Sequence, residues 1–422
     1  MNADNSYWVA TSIRDTFYTD APPAGAVDCA IVGGGYTGLS TAYHLAKSGA
    51  KVALLEREAV GWGASSRNGG MVLPGYKTEV DGLLRRFGLE RTRKLFDLSL
   101  DAVKLVKALT AAEGIACDLQ ETGELYAACK PAHFKAMRAR QKLLAEQFEH
   151  PTTLVGPAEL KAELDSPAYC GALIDPAACG LHPAKYVLGL ARAAAKAGAT
   201  LHERAPAERI TKTPRGFEIR TPHGTLLAKE VVIATNGYTD GLVGWLHKRV
   251  IPVGSYIIAT EPLDPALAAK LIPHKRMVFD SKNMLYYFRV LPDNRMLFGG
   301  RASFTPTNPQ HSGEILRKGM VETFPELASA RVEYSWGGTL GFTFDLMPHA
   351  GQTDGIHYSL GYGGHGVAWS TYMGKRLADA LSGHSSDIPL AELPFPDVPL
   401  YSGKAWFLPF AGAYYQFLDW VS

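Results

Sequence analysis

The stretch DCAIVGGGYTGLSTAYHLAKSGAKVALLE, residues Asp28–Glu56, decides the fold of this chain. Its first part, Asp28–Val32, is an apolar run that predicts a short buried strand. Tyr36–Ser48 places apolar side chains on one face and predicts a helix, which Gly49 ends. Val52–Glu56 predicts a second strand. A strand, a glycine-rich turn, a helix and another strand together form the βαβ unit of a Rossmann-type domain.

The turn between the first strand and the helix, Gly33–Gly38, matches the G-x-G-x-x-G pattern of dinucleotide-binding sites. In that pattern the first glycine makes a tight turn, the second lets the backbone approach a pyrophosphate, and the third lets helix and strand pack closely. The helix N-terminus offers N–H groups to the phosphates. Glu56 follows at about the 20-residue spacing at which an acidic residue binds ribose hydroxyls. The cofactor contacts predicted from this unit are Gly33, Gly35, Tyr36, Thr37, Gly38, Glu56 and Arg57.

A second loop of small residues, GWGASSRNGG (Gly61–Gly70), follows just beyond the acidic residue. The first motif alone does not choose between NAD and FAD. The second loop suits the longer cofactor, because its polar side chains supply hydrogen-bond donors and its last two glycines leave room for an isoalloxazine ring. FAD is therefore the expected cofactor. The contacts predicted from this loop are Ser65, Ser66, Arg67, Asn68, Gly69 and Gly70.

Composition and charge narrow the range of functions. The chain has 422 residues, with 43 Lys and Arg against 41 Asp and Glu, so it carries no overall charge that would attract nucleic acid. No apolar run approaches the length of a membrane span, and the first residues lack the pattern of a secretory signal. The five cysteines are scattered, without a Cys-x-x-Cys pair, which disfavours a disulfide framework and a metal site. We therefore expect a cytoplasmic protein with no metal, no nucleic-acid partner and no integral membrane segment.

The length of the chain favours two domains rather than one. A helical, charged region precedes a region rich in β-branched and aromatic runs broken by Pro and Gly, which predicts a mainly antiparallel sheet. The expected fold class is α/β plus α+β, with a discontinuous Rossmann-type FAD-binding domain and a second, mainly antiparallel β substrate domain. The predicted boundaries are 25–80, 150–240 and 330–385 for the FAD-binding domain, 81–149 and 241–329 for the substrate domain, and 386–422 for an aromatic C-terminal extension packed on the body.

Several blocks of the sequence resemble one known family. The blocks VGGGYTGLSTAYHL, LLERE and GWGASSRNGG are similar to the amino-terminal half of the D-amino acid oxidase and sarcosine oxidase superfamily of flavoproteins. Later blocks of that superfamily are matched in the same order by VVIATNGYT, LYYFRV with RMLFGGR, WGGTLGFTFDLMPHAG and GYGGHGVAWSTYMGKRLADAL. Within it, the sequence most resembles bacterial γ-glutamylputrescine oxidases, whose G-x-G-A-S-x-R-N-G-G loop matches Gly61–Gly70 except at Ser66, where they usually have glycine.

The last of these blocks opens a helix after the glycine loop Gly361–Gly366. Its backbone donors and positive helix end would face the pyrimidine edge of the flavin, where reduction places negative charge. His365 either contacts the flavin or packs as an ordinary loop histidine. Relatives with covalently bound flavin carry a cysteine near the block that corresponds to Trp336–His349, which has none here, so the resemblance implies non-covalent FAD. The contacts predicted from this loop are Gly363, Gly364, His365 and Gly366.

The residues predicted to act in catalysis or to touch the substrate are Arg67, Arg289, Tyr256 and His365. Arg289 falls near the region that supplies substrate-binding Tyr and Arg side chains in amino acid oxidases, and its guanidinium would bind a carboxylate with two hydrogen bonds. The alternative is an arginine that extends along a sheet edge. Arg67 would set the electrostatics of the flavin or contact the substrate, and Tyr256 would line the cavity. No acidic cluster that would hold the charges of a free polyamine stands out in these blocks.

The leading hypothesis is an FAD-dependent amine oxidase. Hydride would pass from the α-carbon of a small, γ-glutamyl polyamine-like amine to flavin N5, the imine would hydrolyse to an aldehyde, and O2 would be reduced to H2O2. The alternative is a flavoenzyme that oxidises a cyclic, N-methyl or D-amino acid and passes electrons to a quinone or another acceptor. A third reading is a binding protein that kept the fold and lost turnover. The expected partners are thus a small amine and an electron acceptor, and the oligomeric state stays open.

Overall fold

A computed structural model describes residues 5–19, 21–300, 309–385 and 387–421. Arg301 of the RMLFGGR block, with residues 302–308, Ser386 and Ser422, lies outside the described residues. The helices are α1 (Tyr7–Ala10), α2 (Tyr36–Lys47), α3 (Val80–Ala112), α4 (Pro131–Phe148), α5 (Pro183–Lys196), α6 (Gly244–His247), α7 (Pro265–Leu271), α8 (Pro309–Thr323), α9 (Gly366–Leu381) and α10 (Leu408–Val421).

The strands are short and come from the whole length of the chain. In chain order they are β1 (Gly25–Val32), β2 (Val52–Leu55), β3 (Met71–Val72), β4 (Glu124–Ala127), β5 (Thr153–Val155), β6 (Ala172–Asp175), β7 (Cys179–Gly180), β8 (Thr200–His202), β9 (Arg209–Thr213), β10 (Gly216–Thr221), β11 (Gly224–Ile233), β12 (Ile251–Thr260), β13 (Met277–Asp280), β14 (Tyr286–Val290), β15 (Met296–Gly300), β16 (Val332–Phe342), β17 (His349–Thr353) and β18 (Ile356–Leu360).

The first sheet has the Rossmann arrangement that the sequence predicts. Strands β18, β11, β1, β2 and β8 lie side by side and are all parallel. β17 adds to the β18 edge in the antiparallel sense, and β10 and β9 continue from β11. Parallel strands are buried on both faces, which explains why the last four residues of β1, Cys29–Val32, and the whole of β2 are apolar and buried. The ends of β1 and β2 therefore bring the first glycine turn and Glu56 to one edge of the sheet.

Helices α2, α5 and α9 cover one face of this sheet and share its largest buried cluster. Helix α2 is the centre of that layer, with Leu39 and Ala42 fully buried. Ser40 and Thr41 on α2 donate to backbone carbonyls of α9, at Thr371 and Gly374. The first and the last glycine loops are consequently held next to each other, although they are far apart in the sequence.

The second sheet is mainly antiparallel, as expected. Its strand order is β16, β12, β15, β14, β13, β4, β6 and β5. Within the described part of this second sheet, β13 and β4 are parallel and every other neighbouring pair is antiparallel. A core of aromatic and aliphatic side chains fills the side toward α8, with Phe288, Phe298 and Phe324 fully buried. The opposite face of the sheet is turned toward the first sheet and its glycine loops.

The domain boundaries stay a prediction. Three strands, however, belong to a different sheet from the one that these boundaries imply. β5, β6 and β16 fall inside the ranges predicted for the FAD-binding domain, yet they pair with strands of the second sheet. Local sequence does not reveal such long-range pairing, because a short strand can add to either sheet edge.

The C-terminal segment ends in α10, which packs on the body along one face only. Leu408 and Tyr401 are buried against Ile251, Val253 and Phe342 of the second sheet. Backbone and side-chain N–H groups at residues 283 and 284 donate to the Asp419 carboxylate and fix the far end of the helix. The large apolar side chains of the segment 387–421 that remain exposed are Leu400, Trp406, Phe410, Tyr414 and Phe417.

Candidate functional site

A cavity of about 860 Å³, called the central cavity below, lies between the two sheets. It runs from the carboxyl ends of the parallel strands, where α/β proteins commonly bind ligands, across the face of the second sheet. Of the predicted cofactor residues, all line this cavity except Gly38, Ser66 and Gly70. The structure thus brings the three predicted loops together around one space.

The first glycine turn has no room for side chains at two positions. Gly33 has a φ of +112°, and a Cβ there would lie 2.7 Å from the carbonyl oxygen of Ala234. A Cβ on Gly38 would lie 2.0 Å from the carbonyl oxygen of Gly33, so this glycine lets α2 pack against the end of β1. The N-terminus of α2 therefore sits directly at the cavity, where its N–H groups can bind phosphate.

Glu56 is fixed at the end of β2 by two backbone groups. Its Oε2 accepts from the Gly34 N–H at 2.6 Å, and its Oε1 accepts from the Glu58 N–H at 2.9 Å. Burial raises the pKa of the Glu56 carboxyl. The neighbouring Arg57 forms an ion pair with Asp240 across the cavity rim, at 3.3 Å. This placement fits the predicted contact between Glu56 and ribose hydroxyls.

The second glycine loop, Gly61–Gly70, is held by the side chain of its own Asn68 and by two tryptophans. The Asn68 side chain accepts from the Gly70 N–H and donates to the Ala64 carbonyl, so it serves the loop's own conformation. Trp8 donates its indole N–H to the Asn68 carbonyl at 2.8 Å, and Trp336 donates to the Arg67 carbonyl at 3.1 Å. Sequence reasoning did not assign either tryptophan a role, since each lies far from the loop along the chain.

Ser65 connects the two glycine loops that carry the first two motifs. Its Oγ accepts from the Tyr36 N–H at 3.1 Å, at the start of α2. Ser66 is buried and does not line the central cavity. The exchange of glycine for serine at this position, which separates the loop from the family pattern, is therefore accommodated behind the cavity wall.

Arg67 lies on the cavity wall, as expected. Its Nε donates to the Trp62 carbonyl at 2.7 Å, and its guanidinium lies 5.1 Å from the centre of the Trp62 ring. Nη1 reaches the Gly337 carbonyl at 3.4 Å on β16. These contacts hold a positive charge next to the second glycine loop, on the side that faces the second sheet.

The last glycine loop places His365 directly before α9. Gly363 and Gly364 have φ values of +56° and +109°, which turn the chain sharply into the helix. The Nδ1 atom of His365 is buried without a hydrogen-bond partner among the described residues. Burial, helped by the charge of Lys77, lowers the pKa of His365 to about 4, so its ring is neutral near pH 7.

These features fit the predicted cofactor. A turn that excludes side chains and two helix N-termini that open on one cavity are what FAD requires at its pyrophosphate. The buried Nδ1 of His365 has no partner among the described residues and would gain one from a bound cofactor. Among the residues that the structure describes, no group of three His, Cys, Asp or Glu side chains could hold a metal. The same residues include no helix long and apolar enough to cross a membrane.

Two predicted substrate contacts, Arg289 and Tyr256, do not line the cavity. Arg289 shares a sheet face with Tyr287, but the β3–β7 ribbon covers it: its Nη1 donates to the carbonyls of Gly70 and Leu181 at 3.1 and 3.2 Å. Burial lowers the pKa of Arg289 to about 10. It therefore supports the second glycine loop from behind and does not point at a substrate.

Tyr256 faces away from the cavity because of the alternation of side chains along β12. Ser255 lines the cavity, so its neighbour Tyr256 points into the core beneath α8. The cavity wall at this place is built instead by Ser255 and Tyr287, whose hydroxyl oxygens lie 3.1 Å apart. Tyr287 thus takes the place on the wall that the sequence analysis assigned to Tyr256.

The cavity continues past Tyr287 to a polar end. Phe279 and Tyr126 follow on neighbouring strands, with their rings stacked at 4.7 Å. The quoted sequence blocks hold no acidic cluster, and the acidic side chains found here come from outside those blocks. Acidic side chains from four separate segments of the chain line this end of the cavity, and they are Glu79, Glu124, Asp175 and Asp280.

Comparison with known proteins agrees with this geometry. The chain is 31% identical to the probable oxidoreductase OrdL of Haemophilus influenzae, over 98% of this chain and 97% of the relative. It is 30% identical to the γ-glutamylputrescine oxidoreductase of Escherichia coli, over 98% of both chains. Its fold is similar to that of glycine oxidase from Geobacillus kaustophilus, with a TM-score of 0.74 and 24% identity over 89% of this chain and 99% of the other.

The sequence also matches the model of a protein family. The family is the FAD dependent oxidoreductases, abbreviated DAO, and the match spans residues 28–380. That span contains all three glycine loops and, apart from the first three residues of β1, both sheets. The chain therefore belongs to the DAO family of FAD-dependent oxidoreductases.

Proposed function

We propose that this FAD-dependent oxidoreductase, which acts on CH–NH or CH–NH2 donors, oxidises the terminal amine of a γ-glutamyl polyamine-like substrate. The product is an imine that hydrolyses to an aldehyde, and dioxygen is the electron acceptor. When bound, FAD accepts a hydride from the carbon next to the amine nitrogen and passes the two electrons on to dioxygen. A cytoplasmic location is part of the proposal, and the five free cysteines support it.

The observation that carries the proposal is the shape and lining of the central cavity. Beyond the second glycine loop it has an aromatic wall, formed by Tyr287, Phe279 and Tyr126, and then a polar end. A short amino acid such as glycine would leave most of this space unused. A substrate with an apolar stem and a charged far end would fill it, and the relative named γ-glutamylputrescine oxidoreductase supports that choice.

The wall near the second glycine loop holds few groups that could exchange protons. The hydroxyls of Ser255 and Tyr287 are bonded to each other, and the lowered pKa of His365, about 4, makes its ring a weak base. Amine oxidation by hydride transfer needs a correctly placed carbon and an unprotonated nitrogen rather than a strong acid or base. The protein's own contribution is thus to orient the amine against this wall and to exclude water.

The competing assignment is the oxidation of a small amino acid, with electrons passed to a quinone or another acceptor. Arg67 favours it, because a positive charge beside the second glycine loop could hold an α-carboxylate near the reacting carbon. In that case the polar far end of the cavity would have no role in binding.

An anaerobic screen separates these assignments. The purified holoenzyme is mixed with γ-L-glutamylputrescine, putrescine, sarcosine, L-proline and D-alanine, and the loss of flavin absorbance is followed for each. The proposal predicts fast bleaching by γ-L-glutamylputrescine and, on admission of air, H2O2 equal to the amine consumed. Preferential bleaching by an amino acid, or recovery only with a quinone, would support the competing assignment.

A further inference from the structure

The polar end of the cavity has a carboxyl group and a guanidinium group on facing elements. Glu124 begins β4 in the second sheet, and Arg140 lies on α4, which packs over that sheet. Both line the central cavity. Together they are called the distal subsite below.

Glu124 has a carboxylate oxygen that is without a partner. Its Oε2 is shielded from solvent and makes no hydrogen bond in the part of the chain that the structure describes. The facing residue in the ladder is Asp175, whose Oδ2 lies 2.7 Å from Nε2 of His150. Burial and the charges of Asp175 and Glu79 raise the pKa of the Glu124 carboxyl. A positive group arriving from the cavity would give this oxygen the partner it lacks.

Arg140 is held in place but retains capacity for an anion. Its Nη1 pairs with Glu79 at 2.9 Å, its Nη2 lies 4.0 Å from Asp81, and its guanidinium lies 5.3 Å from the centre of the Tyr126 ring. A guanidinium carries five N–H donors in a fixed plane, so donors remain for a substrate carboxylate beside these two. Lys282, another cation of the wall, is paired with Asp280 at 3.5 Å, and Asp280 also accepts from two backbone N–H groups. That second pair is therefore already satisfied.

The distance from the second glycine loop to the distal subsite matches an extended substrate. Tyr287 touches the loop, since a Cβ on Gly69 would lie 2.9 Å from its ring. Tyr287 pairs with Phe279 and Phe279 with Tyr126, which separates the two tyrosines by two strand spacings, about 10 Å. Glu124 lies two residues further along the same face, about 7 Å away along the strand. The resulting separation of about 12 Å compares with about 10 Å for an extended chain of eight bonds.

We propose that Glu124 and Arg140 bind the α-ammonium and the α-carboxylate of an amino-acid head group at the far end of the substrate. The eight bonds are those between the reacting carbon and the α-carbon of γ-glutamylputrescine. This inference rests on the proposed function and adds to it the residues that select a γ-glutamyl amine over a free diamine. A diamine would carry an ammonium but no carboxylate to this end, so it would gain nothing from Arg140.

The test measures binding, so it does not depend on turnover. Calorimetric titration of the holoenzyme uses three probes that lack the terminal amine of the substrate: γ-L-glutamylbutylamide with both charges, glutaric acid monobutylamide with the carboxylate only, and 4-aminobutyric acid butylamide with the ammonium only. Glu124→Gln should weaken the first and third probes by about tenfold or more and leave the second unchanged, since a hydrogen bond between charged groups is lost. Arg140→Gln should weaken the first and second probes and spare the third.

Two matched controls and one milder variant accompany the test. Glu121→Gln alters an exposed glutamate that pairs with Lys107, and Arg138→Gln alters an exposed arginine on α4; neither residue lines the cavity, and neither variant should change any affinity. Glu124→Asp keeps the charge and should give an intermediate loss, which keeps the test readable if Glu124→Gln folds poorly.

The outcomes separate the subsite from the proposed function. Equal weakening of all three probes by Glu124→Gln, or no weakening, would overturn the subsite even if amines are oxidised. Selective weakening would support the subsite even if the reaction proves to use another acceptor or another amine.

Discussion

Replacing Gly38 by alanine should damage the cofactor site through a single methyl group. The new Cβ would lie 2.0 Å from the Gly33 carbonyl oxygen and 3.2 Å from the Ile31 side chain. To reach an ordinary contact distance of 3.4 Å, the start of α2 must move away from β1 by about 1.4 Å. Overpacking of this kind costs roughly 1–3 kcal/mol, which corresponds to an increase of about 5- to 150-fold in the Kd for FAD if the cost falls on the bound state.

The assay is the Kd for FAD, measured by fluorescence quenching with apoprotein, together with the flavin content after purification. Gly244→Ala is the matched control, since a Cβ on Gly244 meets nothing within 4 Å and its φ is an ordinary −57°. That variant should bind FAD normally. A Gly38→Ala protein with unchanged Kd and flavin content would refute the reasoning that α2 presents its N-terminus to the pyrophosphate.

Three further predictions concern the loop, the attachment of the cofactor and pH. Trp8→Phe removes the hydrogen bond to the Asn68 carbonyl, and the loss of about 1 kcal/mol should weaken FAD binding by a few-fold. Trp406→Phe, on the exposed C-terminal segment, is the control. Equal Kd values for FAD in both variants would contradict the role of Trp8. Acid precipitation should release all of the flavin, because no cysteine of the described chain lines the cavity, and a fluorescent protein band on a denaturing gel would show a covalent bond instead. Burial lowers the pKa of His182 to about 3, so below about pH 6.5 this histidine is protonated in the unfolded chain but stays neutral in the folded chain, and the free energy of unfolding falls with pH. His182→Asn should therefore reduce the loss of unfolding free energy between pH 7 and pH 5, measured by urea titration, by up to about 2 kcal/mol. Identical pH dependence of the unfolding free energy in both proteins would contradict this.

The cofactor half of the structure could be predicted from the sequence because its signals are local. The turn Gly33–Gly38, the apolar strands on either side and Glu56 lie within one βαβ unit, and the structure has α2 at Tyr36–Lys47 where a helix over Tyr36–Ser48 is predicted. Positions where the backbone leaves no room for a side chain must be glycine, so such positions can be recognised from the sequence alone.

The substrate half could not be predicted in the same way because its residues meet only through tertiary pairing. Tyr256 and Ser255 are neighbours in sequence, and only the register of β12 decides which of them faces the cavity. Arg289 is on the cavity side of its strand but is covered by the β3–β7 ribbon. The distal subsite joins Glu124 to Arg140 across two elements, and no local pattern connects them.

The central claim is tested most directly by titrating the holoenzyme with γ-L-glutamylputrescine in the absence of oxygen. One equivalent of the amine per flavin should bleach the flavin absorbance completely, with one equivalent of aldehyde recovered after acid treatment. Admission of air should restore the spectrum and yield one equivalent of H2O2. A fully loaded holoenzyme whose spectrum does not respond to excess γ-L-glutamylputrescine, while another amine or amino acid bleaches it, would contradict the account.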